Sequence, residues 1–169
     1  AATCPTLGSR NAVCDVPAGI LLHGPTGTGK TRLALLALKH LVSQRGCPAR
    51  LCLPGEFARD VADAYRNGEE KRLHAQFAGV EVLMLDDLGK ERLTDRVEAF
   101  LFELLDHRLA WRKCTILTTN HVGDDFAAKF TDPERGAALV RRLREFCLAV
   151  SVIAESGTQE IRNGTGGAS

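Results

Sequence analysis

The chain has 169 residues, 44% of them hydrophobic, which is enough for one domain with a sizeable core and too little for two. Its 22 Lys and Arg against 21 Asp and Glu give a formal net charge of +1; this excludes coating nucleic acid by bulk charge and leaves a local basic patch open. No apolar stretch has the length of a membrane span and the start carries no signal-peptide pattern, so a soluble, cytoplasmic protein without a membrane partner is expected.

Residues 1–17 hold Pro and Gly without a clear period and read as an irregular lead-in. Ile20-Leu21-Leu22 is a short apolar run stopped by Gly24-Pro25, as a buried strand would be. Residues 30–45 carry Leu33, Ala37 and Leu41 at helical spacing, and Gly46 and Pro48 end that helix. A second strand is expected over 50–53. A helix follows around Phe57, Val61 and Tyr65, broken at Asn67-Gly68, and then a shorter one over 69–77. Residues 80–85 form a strong buried strand that runs into Asp86-Asp87. The longest helix, 94–111, sets Val97, Leu101, Leu104 and Leu105 on one face, with Asp106, Arg108 and Arg112 mostly off it. A strand over 114–118, a polar turn-rich segment, a helix over 134–146 and a last strand over 148–152 complete the series, and residues 154–169 read as a flexible tail. Strands alternating with helices predict a three-layer α/β domain over residues 18–153: a mostly parallel five-stranded sheet with helices on both faces.

Cys4, Cys14, Cys47, Cys52, Cys114 and Cys147 form no C-x-x-C pair and read as structural thiols. His23, His74, His107 and His121 have no nucleophile or metal partner at useful spacing, and no chemistry is assigned to them.

Gly24-Pro25-Thr26-Gly27-Thr28-Gly29-Lys30-Thr31 matches the phosphate-loop pattern G-x-x-x-x-G-K-[ST] at every fixed position, between an apolar strand and an amphipathic helix. Glycines let successive backbone N–H groups turn inward around an anion, and the helix that starts there adds its positive end. Lys30 supplies a point charge for the β- and γ-phosphates of ATP, and the Thr31 hydroxyl suits a magnesium shell.

Ligands of a parallel sheet sit at the carboxyl ends of its strands, where this chain puts Asp86-Asp87 and Thr118-Thr119-Asn120. Asp86 is read as holding Mg2+ through water, Asp87 as orienting the attacking water, and Asn120 as bonding that water or the γ-phosphate.

With these elements the chain resembles the AAA+ ATPases, and within them the bacterial helicase-loader and insertion-sequence helper group, DnaC-like and IstB-like. The resemblance rests on residues 24–31, on Val82-Leu83-Met84-Leu85-Asp86-Asp87-Leu88-Gly89, on Thr118-Thr119-Asn120, on the stretch from Glu56-Phe57 through Tyr65 to Phe77, and on Leu139-Val140-Arg141-Arg142-Leu143. It implies an ATP site at an interface between copies, with Arg142 as the arginine finger lent by a neighbour and Arg141 as runner-up. It implies a helicase loader in DNA replication first, with a transposition helper as the alternative. The partners would then be a replicative helicase or a transposase. Single-stranded DNA contacts would fall on Arg59, Tyr65, Arg66, Lys71 and Arg72. Members of the group carry an N-terminal domain where only about two dozen residues precede the loop here, and there is no room after residue 153 for the small helical lid of larger AAA+ proteins. The domain is therefore expected to bind ATP weakly and assemble poorly by itself. A small-molecule kinase and a slow nucleotide-dependent binding switch are the competing expectations.

Overall fold

In a computed structural model the described residues are 18–90 and 93–153; the lead-in expected over 1–17 and the tail expected over 154–169 lie outside them. Strand and helix alternate in the expected order: β1 (Gly19–His23), α1 (Lys30–Arg45), β2 (Ala49–Cys52), α2 (Pro54–Asn67), α3 (Glu70–Gly79), β3 (Val82–Leu88), α4 (Asp95–Ala110), β4 (Cys114–Thr119), α5 (Asp124–Ala127), α6 (Pro133–Phe146) and β5 (Cys147–Ser151).

The sheet order is β2-β3-β4-β1-β5, and each of its four pairings is parallel. β1 lies between β4 and β5, with Leu21 opposite Leu117 on one side and Ala149 on the other. The carboxyl ends of β1, β4 and β3 therefore open side by side. Val82-Leu83-Met84-Leu85 is buried throughout, as expected for a central parallel strand covered on both faces.

α1 covers one face of the sheet: Ala34, with Ala37, Leu38 and Leu41 half-buried, packs on Leu22, Val82, Met84 and Ile116. The stripe is i, i+3, i+4, i+7 from Ala34. Leu33, read with Ala37 and Leu41, falls outside it and is 44% exposed. The opposite face carries the larger core, built from Phe57 and Val61 of α2, Phe77 of α3, five leucines and phenylalanines of α4, and Leu139 and Leu143 of α6. Phe57, Phe77 and Phe100 meet there edge to face.

Three elements differ from expectation. β3 continues to Leu88, past the acidic pair read as its end. The segment read as turns contains α5, because Phe126 and Phe130 are buried and anchor it to the core. Arg108, read as off the buried face of α4, is 0% exposed. Its guanidinium donates to the carbonyls of Phe77 and Val80 at 2.8 Å and of Cys114 at 2.6 Å, and to the Thr115 hydroxyl at 3.2 Å. It thereby satisfies carbonyls left over at the end of α3 and ties them to the starts of β3 and β4. Burial pushes this guanidinium down to about 10.

Candidate nucleotide site

β1 stops at Gly24, whose φ is +146; a Cβ there would stand 2.2 Å from the carbonyl oxygen of Val152, so no other residue fits. The chain then loops over Pro25, whose carbonyl accepts from the Thr28 hydroxyl at 3.0 Å and from Lys30 Nζ at 2.7 Å. α1 begins at Lys30 with no side chain capping it. Its first N–H groups are left facing the loop, which suits an anion.

Lys30 is only 7% exposed, and among the described residues its sole partner is that neutral carbonyl. A buried ammonium without a counter-charge is costly, and a phosphate would supply the missing one.

Asp86 is the converse. It is equally buried, and its carboxylate accepts only hydroxyls: Thr31 Oγ1 at 2.9 and 3.1 Å, and Thr118 Oγ1 at 2.6 Å. Among the described residues no cation stands beside it, and the threonine that ends the phosphate loop holds it. This donor set, carboxylate and hydroxyl oxygen, is the kind magnesium takes. Thr31 lines the open cavity and Asp86 stands behind it, so the hydroxyl would ligate directly and the carboxylate through water.

A β-bulge aims the acidic pair. Leu85 pairs with Leu117 and Leu88 with Thr119, so Asp86 and Asp87 together oppose Thr118 alone. Thr118 serves both: its hydroxyl donates to Asp86 and accepts from the Asp87 amide at 2.7 Å. Asp87 takes the left-handed φ of 54 that the bulge imposes. Its Oδ1 accepts from Asn120 Nδ2 at 3.0 Å, and its Oδ2 pairs with Lys90 Nζ at 3.2 Å.

These groups border a cavity of about 610 Å³ lined by Thr26, Gly27, Lys30, Thr31, Asp87 and Asn120. The cavity continues along α1 over Arg32, Leu35, Leu36 and Lys39, none of which the sequence reading singled out. Their i, i+3, i+4, i+7 spacing on the helix that follows the loop was the available signal. Thr118 and Lys90 were also missed as partners of the acidic pair.

Arg142 is not brought to this cavity. It lies on α6 with its Nε 2.9 Å from Asp106 Oδ1 of α4. Among the residues read as DNA contacts, Tyr65 is half-buried against the core, Arg66 pairs with Asp63 of its own helix, and Arg72 pairs with Glu69, which precedes α3. Arg59 and Lys71 are exposed. Among the described residues no helix is long and apolar enough to cross a membrane.

An all-parallel sheet of this order, with a phosphate loop after β1 and a bulged acidic pair on β3, is a P-loop nucleotide-binding domain of the AAA+ kind. The family profile described as IstB-like ATP binding protein matches residues 8–163, and the chain belongs to that family. An ATP-binding protein in an insertion sequence of Mycobacterium tuberculosis is 30% identical over 129 residues, 76% of this chain and 51% of its own length. The replicative helicase loader DnaI of Bacillus subtilis is 27% identical over 70% of this chain and 38% of its own. The crystal structure of the DnaC helicase loader shares the fold, with a TM-score of 0.70 at 24% identity over 80% of this chain and 78% of that one. The chain spans about half the length, or less, of these two curated relatives.

Proposed function

We propose that this domain hydrolyses ATP to ADP and phosphate within a self-assembling protein of an insertion sequence that acts on DNA. The observation that carries the hydrolytic reading is a pair of opposite buried groups without a charged partner among the described residues: Lys30 on the cavity wall, and Asp86 behind Thr31, which lines the same cavity. Lys30 and the loop amides would hold the β- and γ-phosphates, and Thr31 with Asp86 would hold Mg2+. A bound magnesium ion neutralises charge on the phosphate oxygens. Asp87 orients the attacking water and Asn120 steadies it or the γ-phosphate, from the positions they already share at the cavity wall.

Arg142 is proposed as the finger that a neighbouring copy lends to this site, Arg141 standing beside it. Its bond to Asp106 joins two side chains each 38% exposed. Such a pair is worth roughly 0–1 kcal/mol, so it yields readily to a phosphate. Assembly would then control turnover.

The family and the 30% identical relative favour the insertion-sequence role, with a transposase as the protein partner, over the helicase-loader role that stood first on sequence. The loader reading keeps support from DnaI and from the DnaC fold. Single-stranded DNA contacts stay proposed at Arg59 and Lys71, and at Arg66 and Arg72, whose exposed ion pairs within the chain would give way to a phosphate as that of Arg142 would. Tyr65, half-buried against the core, offers less of its ring.

ATP hydrolysis measured across protein concentration, with and without single-stranded DNA, tests the proposal in wild type and Arg142→Ala. A rate that climbs faster than linearly, rises with DNA and collapses in the variant supports it. A linear, DNA-indifferent rate that survives the substitution overturns the assembly and finger roles.

A further inference from the structure

The strongest unexplained feature is how firmly the turn after the acidic pair is built. Asp87, Leu88, Gly89 and Lys90 form a tight turn closed by a bond from the Lys90 amide to the Asp87 carbonyl at 3.3 Å. β4 pins it from the side, since Thr118 accepts the Asp87 amide at 2.7 Å and the Thr119 hydroxyl donates to the Leu88 carbonyl at 2.7 Å. Gly89 has a φ of +85 and would set a Cβ 3.3 Å from the His121 ring. Asp87 pays for a left-handed backbone although it carries a side chain.

Strain held in place from two sides calls for a use, and the use on view is the Asp87 carboxylate. Its two oxygens are divided: Asn120 takes Oδ1 and Lys90, returned by the turn, takes Oδ2. Asn120 also lines the cavity, where a γ-phosphate oxygen would compete for its amide; Lys90 does not.

We propose that Lys90 is a positioning residue for hydrolysis: it keeps Oδ2 of Asp87 when nucleotide draws Asn120 away, so that Oδ1 alone is released to the attacking water. The inference rests on the hydrolytic reading above. Lys90 touches neither nucleotide nor water; it fixes the plane of the carboxylate that does.

Steady-state kinetics of Lys90→Ala and Lys90→Arg test it. The alanine variant is expected to lose about three- to fivefold in kcat with KM for ATP within about twofold, as an exposed ion pair allows, and arginine to restore most of the loss. A second measurement does not need turnover: the 13C signal of the Asp87 carboxyl, assigned with Asp87→Asn, in the presence of magnesium and a non-hydrolysable ATP analogue. Lys90→Ala is expected to shift that signal in the bound state. An unmoved signal, an unchanged kcat, or a parallel loss of kcat and nucleotide affinity would overturn the proposal. A wild type that binds the analogue without hydrolysing ATP would remove the hydrolytic reading, and the carboxyl signal would still decide whether Lys90 holds Asp87.

Discussion

Thr118 donates its hydroxyl to Oδ1 of Asp86 at 2.6 Å, in a place where β3 has two residues and β4 has one. The Thr118 hydroxyl oxygen in turn accepts the Asp87 amide, so one buried threonine holds both acids of the site. Thr118→Val keeps the shape and removes both bonds. It leaves a buried amide unpaired and Asp86 with one fewer donor, which costs about 1–3 kcal/mol. Urea denaturation is expected to show that loss, and magnesium-dependent nucleotide affinity is expected to fall several-fold with it. Unchanged stability would mean that the bulge does not depend on Thr118.

Arg108 makes a separate claim on stability. Arg108→Met keeps the aliphatic stem and strips the donors from the carbonyls of Phe77, Val80 and Cys114. The expected loss is about 3–5 kcal/mol, since several buried acceptors lose their partner together. A chemical melt within about 1 kcal/mol of wild type would contradict the role given to it.

Cys147 predicts a pH dependence. Burial pushes its thiol up to about 12, from an ordinary value of 9.0. A group whose folded value is raised contributes stability that is complete below the unfolded value and is lost as pH climbs toward the folded one. Between pH 9 and 12 the unfolded chain therefore ionises Cys147 while the folded chain does not. The stability of wild type should fall by up to about 1.4 kcal/mol per pH unit more than that of Cys147→Ala. Equal slopes for the two proteins over that window would show that the thiol titrates freely in the fold.

Much of the fold was legible because the chain's local signals agree with its topology. The glycine pattern of residues 24–31, the apolar run before Asp86 and the α4 stripe from Val97 to Leu105 each have one physical reading, and the structure contains all three. Other features were hidden for definite reasons. An aspartate pair after an apolar run looks like the start of a turn, and a bulge that keeps both residues inside the strand leaves no mark in spacing. Arg108 looks like a solvent residue because its acceptors, the carbonyls of Phe77 and Val80, are some thirty positions away and are backbone atoms that sequence cannot rank. Lys90 follows a glycine, and only the turn geometry returns it to Asp87.

Titration calorimetry of ATP with and without magnesium, for wild type, Lys30→Ala and Thr31→Ala, tests the central claim that the loop holds phosphate and Thr31 with Asp86 holds the metal. Loss of Lys30 should weaken binding about a hundredfold in either condition. Loss of Thr31 should leave magnesium-free binding near wild type and abolish the enhancement that magnesium brings. A Thr31→Ala protein that keeps the full magnesium enhancement, or a Lys30→Ala protein that binds ATP like wild type, would contradict it.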